Sequence, residues 1–209
     1  MHKYAGFTLL SLAVLWGCSS TELVSVPPRM DLKSYGTLGI VEFASNSDST
    51  INTNATRQFQ EHVQAAQPGT PFLELGSREA VLAAVGASRF DVDTLKKIGD
   101  KYGVAAVFLG DITYSEKTDV KVTDITKLDG GVRTEVRGDI SSRLLETRTG
   151  ASVWSSSAWA KRQVGRLSVS EQGVSGGMSN SNPREEMLPA LVKHLTQDFR
   201  PSSVRRRVK

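Results

Sequence analysis

The stretch LKKIGDKYGVAAVFLGDIT, residues 95–113, decides the fold. Its first half has apolar residues at helical spacing, which predicts an amphipathic helix with an inner face of Leu95, Ile98 and Tyr102. Gly103 follows at the point where a helix end favours a residue of left-handed conformation. Residues 104–110 then form a short, almost continuously apolar run, which predicts a buried strand. A helix that leads directly into a buried strand predicts a domain that combines helices with a sheet.

The sequence before this stretch shows the same alternation of strand and helix. Residues 37–44 are short, apolar and followed by turn-forming residues, which predicts an opening strand. Residues 53–67 predict a helix, and residues 72–75 predict a second short strand. The apolar face of that helix consists of Ala55, Phe59, Val63 and Ala66. Ser77 and Asp91 have side chains suited to cap two further helices.

The second half of the chain has the alternation of a sheet. Residues 132–145 alternate with period two, which predicts a half-buried strand that either packs on helices or enters a membrane. Residues 153–162 return after a turn, and residues 168–182 are rich in serine and glycine, which predicts a loop. Asn182 is suited to cap a last helix.

The predicted fold is an α/β (α+β) domain with the order β-α-β-α-α-β, a β-meander and a final helix. We expect a single mixed sheet with helices packed mainly on one face, the first strands central and the long hairpin near an edge. The predicted segments are a signal peptide (1–17), a lipidated tether (18–36), the α/β domain (37–200) and a basic tail (201–209).

The segment LWGCSS, residues 15–20, contains Cys18, the only cysteine of the chain. Residues 1–3 supply a positive start, residues 7–16 are mostly apolar, and Gly17 is a small residue. This order is typical of a secretory signal peptide. The apolar run is shorter than the roughly 20 residues that a membrane-spanning helix needs. An unpaired cysteine at this place calls for an explanation, and an ordinary thiol in the signal peptide is one alternative.

Residues 15–18, LWGC, resemble the lipobox of bacterial lipoproteins. The resemblance implies cleavage after Gly17, diacylation of Cys18 and acylation of its new amino group, with chains such as palmitate. Two or more acyl chains hold a protein stably at a membrane, whereas one chain holds it marginally. Ser19 stands where an aspartate would favour the inner membrane, so the resemblance implies the periplasmic face of the outer membrane.

The charge of the chain is mildly positive. A formal net charge of +4 is too small to favour nucleic acid as a partner. The one concentrated basic feature is RRRVK, residues 205–209. This tail is either a solvated terminus or a contact to anionic lipid headgroups or peptidoglycan.

Three stretches resemble one group of bacterial lipoproteins. They are the opening strand at residues 37–43, the helix–glycine–strand–glycine pattern at residues 95–113, and LLETRTGASVWS at residues 144–155. In this order they are similar to the periplasmic domain of the curli-secretion lipoprotein and to the lipoprotein activators of penicillin-binding proteins. The resemblance implies a non-catalytic domain that binds other envelope proteins or itself. Two alternatives stay open: a subunit of an oligomeric secretion channel, and an enzyme or ligand-binding domain with an unrecognised site.

The sequence contains no recognised catalytic or metal-binding motif. His62 and His194 each lie beside a predicted apolar helix face, without the cysteines or paired carboxylates of a zinc site. A nucleophile elbow and a phosphate-binding loop are both lacking. Asp111 follows a buried strand, where α/β proteins often place functional groups, but is expected to be a turn or edge residue. We therefore expect no enzyme activity, no cofactor and no metal.

Trp154 and Trp159 are the candidate contacts to a protein partner. Their spacing puts the two rings on opposite faces of a regular strand. We expect one ring either to be exposed as a binding anchor, since tryptophan is enriched in hot spots, or to lie under a loop or helix.

Overall fold

A mixed sheet of seven strands organises the chain. The computed structural model describes residues 21–124, 129–170, 173–178 and 181–207. Pro27–Pro201 forms one compact unit, and strands from the two ends of the chain form a second. In chain order the strands and α-helices are β1 (Thr21–Val26), β2 (Leu38–Val41), β3 (Ala44–Ser45), α1 (Ser49–Ala66), β4 (Phe72–Gly76), α2 (Arg78–Ala84), α3 (Val92–Tyr102), β5 (Ala106–Asp124), β6 (Asp129–Glu146), β7 (Ser152–Ser170), β8 (Gly173–Met178), α4 (Pro183–Leu195) and β9 (Ser202–Arg207).

The large sheet has the strand order β4-β2-β5-β6-β7-β8, and β3 also pairs with β5. Strand β2 runs parallel to β4 and β5, whereas β5 to β8 form an antiparallel ladder. The prediction of an α+β fold with one mixed sheet is therefore confirmed for this unit. The opening strand β2 and the strand β5 are central, and the long strands β6 and β7 lie toward one edge.

Helices pack on both faces of the sheet. The longer helices α1 and α4 cover one face, in a core that includes Phe59, Phe108 and Leu191. The shorter helices α2 and α3 cover part of the opposite face, in a core that includes Val81 and Ile98. All four residues of β2 are buried, as expected for a parallel strand covered on both sides. Burial of one large apolar side chain contributes about 2 kcal/mol, so the two cores fix β2 and β5 firmly.

Polar side chains set the helix starts where the sequence predicts them. Ser77 accepts a hydrogen bond from the backbone N–H of Ala80, and Asp91 accepts one from that of Thr94. Asn182 caps α4 in the same way. Gly103 ends α3 in the left-handed conformation, with φ of 67°. These bonds satisfy backbone donors that the first turn of a helix leaves unpaired.

The prediction of a loop over residues 168–182 is wrong in its first part. Strand β7 continues to Ser170, and β8 pairs with it from Gly173 opposite Ser170 to Met178 opposite Gly165. Backbone groups form this ladder whatever the side chains, so a serine- and glycine-rich composition does not prevent pairing when a partner strand lies alongside.

The second unit is an antiparallel ribbon of β1 and β9. Its register runs from Thr21 opposite Arg207 to Val26 opposite Ser202. The side chains described in the ribbon are all exposed. The ribbon falls within the two segments predicted as tether and tail.

Candidate functional site

Trp154 belongs to the core. It is 8% exposed, and its ring lies 4.7 Å from that of Phe199 and 5.8 Å from that of Phe108, centroid to centroid. Its indole N–H donates to a carboxylate oxygen of Asp198 at 3.2 Å. A buried, hydrogen-bonded indole of this kind stabilises the domain and is not available to a partner.

Trp159 lies on the opposite face of β7 and is 59% exposed. The two tryptophans therefore point to opposite faces, as their spacing predicts. Exposure of so much of a large aromatic ring leaves apolar area in contact with water. The role of Trp159 as a partner contact stays a prediction.

Arg137 and Asp139 hold the surroundings of Trp159 in place. The guanidinium group of Arg137 lies over the Trp159 ring at 5.1 Å from its centroid. Arg137 also donates two hydrogen bonds to Asp139, at 2.8 Å from Nε and 2.6 Å from Nη2. These hydrogen bonds lower the pKa of Asp139 and raise the pKa of Arg137. The pair is therefore fully charged at neutral pH, and it fixes the cation against the ring.

The helices α2 and α3 leave a large part of their sheet face uncovered. On this face, α2 and α3 cover Val107 and Leu109 of β5. Further along the three strands, every second residue of β5, β6 and β7 points to the same face, and the register places these residues side by side. We call this surface the open face, and its residues are Asp111, Thr113, Ser115, Arg137, Asp139, Ser141, Ser157, Trp159 and Lys161. Trp159 is its one aromatic residue, directly opposite Asp139 in the register.

A polar groove adjoins Trp159 at the covered end of the open face. The groove has a volume of about 390 Å³, and serines of β6 and β7 line most of it, together with Leu109, Asp111 and Arg143. Asp111 forms a 2.9 Å ion pair with Arg78 of α2. Asp111 lies within β5 opposite Ser141, not in a turn, because β5 continues well beyond the buried run.

The histidines lie on α1 and α4, which cover the sheet face opposite to the open face. His62 is partly buried on α1, where its Nδ1 lies 2.8 Å from a guanidinium nitrogen of Arg200. Desolvation, followed by the charge of Arg200, lowers the pKa of His62. His194 is exposed on α4.

Neither a metal-binding cluster nor a membrane-spanning helix is found in the described part of the chain. Within it, no group of three or more His, Cys, Asp or Glu residues could hold a metal ion. The helices found there lack the length and apolar character to cross a membrane. Cys18, the predicted lipidation site, lies outside the described residues.

The sequence indicated part of the open face. The alternation over residues 132–145 put Arg137, Asp139 and Ser141 on one face, and the parity of Trp159 indicated a face opposite to that of Trp154. The sequence did not indicate that Trp159 lies on the same face as these residues of β6, because the register between β6 and β7 determines which residues are neighbours. It also did not indicate the ion pair that links Arg78 to this surface.

Comparisons with known proteins give similarity at the level of solved structures. No protein-family model matches the sequence, and no curated protein matches it. The PelC dodecamer from Paraburkholderia phytofirmans is 12% identical with a TM-score of 0.41, over 87% of this chain and 98% of that one. A putative neuraminyllactose-binding hemagglutinin homolog from Helicobacter pylori is 10% identical with a TM-score of 0.44, over 81% and 85%. Lipoprotein GNA1162 from Neisseria meningitidis is 15% identical with a TM-score of 0.34, over 74% and 94%.

These matches include a bacterial lipoprotein and a protein that forms an oligomer. Because every TM-score is below 0.5 and every identity is below 25%, the matches assign no function to this chain.

Proposed function

We propose that this chain is a non-catalytic adaptor of the bacterial envelope, anchored by lipid on Cys18 to the periplasmic face of the outer membrane. It binds an envelope protein through the open face. The observation that carries the proposal is Trp159, which is 59% exposed and held under the Arg137 guanidinium group. Tryptophan and arginine are the residue types most enriched among binding hot spots.

The geometry of the open face suits a protein ligand. Trp159 loses little conformational freedom on binding, because the stacked Arg137 and its Asp139 partner already restrict the ring. Charged groups of both signs surround the ring, including the 3.0 Å ion pair of Lys161 with Glu135. An aromatic centre with a polar, mixed-charge rim is the usual anatomy of a protein interface. The adjoining groove offers space and hydroxyl groups for a side chain of the partner.

The anchor is tested by fractionation of cells that produce the native chain or the Cys18→Ser variant. We expect the native chain in outer-membrane fractions and the variant outside them, because the variant lacks the thiol that carries the acyl chains. Equal fractionation of the two chains would exclude Cys18 as the anchor.

The contact face is tested with the partner that co-purifies with the native chain. Affinity of the purified partner is measured for Trp159→Ala and for Leu73→Ala, a control at an exposed leucine of the distant edge strand β4. We expect Trp159→Ala to weaken binding about thirtyfold, the loss of a typical hot spot, and Leu73→Ala to leave it within about twofold. Unchanged binding by Trp159→Ala would overturn the assignment of this face.

The non-catalytic part of the proposal has its own test. An enzyme with a site in the groove would depend on Asp111, which lines it. We expect Asp111→Asn, which keeps the size of the side chain, to impair function much less than Trp159→Ala does in a complementation assay. The reverse pattern would favour an enzyme or ligand-binding domain.

A second candidate function, a subunit of a secretion channel, is favoured by one observation. Beyond the helices, the ladder of β5, β6 and β7 carries an apolar row of Val120, Val132 and Leu167 in register. Val120 is 67% and Leu167 42% exposed. A channel subunit predicts rings in electron micrographs and ion conductance in planar bilayers, whereas an adaptor predicts neither.

A further inference from the structure

Three consecutive arginines end strand β9. Arg205, Arg206 and Arg207 are exposed, and each is paired with a residue of β1. Among the residues that the structure describes, no carboxylate forms an ion pair with any of the three guanidinium groups. Their positive charge is therefore available to an anionic partner.

The register divides these arginines between the two faces of the ribbon. Directly paired residues of an antiparallel ladder share a face, so Arg205 lies beside Leu23, and Arg207 follows on that same face. Arg206 lies on the other face, opposite Glu22. One face thus combines two cations with Leu23, which is 66% exposed, and the paired residues on it include no acid.

The register also fixes the direction of the ribbon. Arg207 lies opposite Thr21, the first residue of β1, whereas the uncharged Ser202 lies opposite Val26. Thr21 follows Cys18 by three residues, a reach of at most about 10 Å. The cationic end of β9 is therefore the end nearest the predicted lipidation site in the chain, since paired strands lie about 5 Å apart.

We infer that the ribbon of β1 and β9 is a membrane-surface contact, in which Arg205 and Arg207 bind anionic phospholipid headgroups and Leu23 inserts between them. The inference rests on the proposed anchor for its location, because lipid on Cys18 would hold these arginines within about two Debye lengths of the bilayer surface. A two-stranded ribbon on its own is marginally stable in water, and adsorption on a surface adds contacts that stabilise it.

The test is co-sedimentation of the full chain carrying Cys18→Ser, which has no lipid, with vesicles of phosphatidylcholine alone or with 30% phosphatidylglycerol. Two arginines close to an anionic surface contribute about thirtyfold to binding. We expect the double variant Arg205→Gln with Arg207→Gln to lose this factor on the anionic vesicles. The difference should vanish in 1 M salt, where the Debye length is about 3 Å.

Two control chains distinguish a specific contact of one ribbon face from an effect of net charge and from an effect of misfolding. Arg206→Gln with Arg148→Gln removes the same charge from the opposite face of the ribbon and from the turn between β6 and β7, and should retain most of the binding. Arg205→Lys with Arg207→Lys keeps the charge and should bind as the parent chain does. All chains share the apolar segment 7–16, so its own affinity for vesicles cancels in the comparison.

Each contrary outcome overturns the inference. Equal binding of the Arg205/Arg207 glutamine variant and its parent excludes a headgroup contact. An equal loss of vesicle binding by the Arg206/Arg148 control would show that net charge alone, and not this face of the ribbon, determines binding. Sedimentation with purified peptidoglycan but not with vesicles identifies a cell-wall ligand instead. Because none of these chains carries lipid, the result is independent of the Cys18 fractionation test and of the Trp159 binding test.

Discussion

Gly110 lies in the first part of β5, under the ring of Phe43. A Cβ atom at this position would fall within 3.0 Å of three atoms of that ring, closer than real Cβ atoms approach their neighbours. Phe43 is itself fully buried and packs on Phe59, with ring centroids 5.3 Å apart, so it has no free space to enter. The glycine is therefore required by packing and not by an unusual backbone conformation.

We predict that Gly110→Ala lowers the free energy of unfolding by about 2–3 kcal/mol, the usual cost of overpacking a core. The measurement is urea unfolding followed by tryptophan fluorescence. Gly177→Ala in β8 is the control, because a Cβ atom there meets nothing within 4 Å. Equal stability of the two variants would show that Phe43 moves without cost.

His62 makes the stability of the domain depend on pH. A guanidinium N–H of Arg200 donates only to an unprotonated ring nitrogen, and burial also disfavours the imidazolium form. The pKa of His62 is therefore lower in the folded chain than its ordinary value of about 6.5. As pH falls below this value, the unfolded chain binds the proton more readily, and the folded state loses stability.

We predict that the free energy of unfolding decreases between pH 6.5 and pH 5, and that His62→Gln reduces this decrease. The measurement is urea unfolding at half-unit pH steps. His194→Gln, which removes an exposed histidine from α4, is the matched control. A decrease of the same size in the His62→Gln chain would assign the pH dependence to other groups.

At the scale of elements, the side chain of Gln67 joins three segments of the chain. It follows the last residue of α1 and is buried. Its Oε1 accepts from the backbone N–H of Leu32 at 2.8 Å. Its Nε2 donates to the carbonyl oxygens of Met30 and Phe199. One amide thus ties the segment before β2 and the chain after α4 to the end of α1.

We predict that Gln67→Leu lowers the free energy of unfolding by about 3 kcal/mol, because it leaves buried backbone groups without partners. Chemical denaturation provides the measurement, with Gln64→Leu as the control at an exposed position of the same helix. A loss of less than about 1 kcal/mol would indicate that water replaces the amide at low cost.

The sequence predicts the helices and strands of this fold better than the long-range contacts between them. Ser77, Asp91, Asn182 and Gly103 act locally, so their roles could be predicted from neighbouring residues alone. Gln67 looked like an ordinary residue at a helix end, because its partners lie 35 and 132 positions away. The extension of β7 was missed for a related reason, since its partner β8 has no strand-like composition. The open face needed the register of β6 against β7, which no local pattern contains.

At the scale of the whole molecule, β5 is enclosed by other helices and strands only in its first part. Between Ala106 and Ile112, this strand pairs with β2 or β3 on one side and β6 on the other. At Tyr114, the side chain of Asn46 makes two hydrogen bonds of 2.8 Å to the backbone on the otherwise open side. Beyond that point the described pairing of β5 is to β6 alone, and the side chains of residues 115–120 are exposed.

This division predicts a gradient of local stability along one strand. In hydrogen exchange followed by mass spectrometry, peptides from residues 106–112 should exchange only with global unfolding, whereas those from residues 115–121 should exchange about a hundredfold faster or more.

The same exchange measurement, repeated at increasing protein concentration, tests whether a second copy covers this part of β5, with dilute protein as the reference state. If protection of residues 115–121 rises with protein concentration, a second copy covers the row of Val120, Val132 and Leu167, and the channel-subunit candidate gains support. If this protection is low at every concentration, the row stays exposed in solution, and binding by a monomeric adaptor through Trp159 remains the better account. Equal protection of both segments in dilute protein would contradict the gradient itself, because it would require more cover than the pairing with β6 provides there.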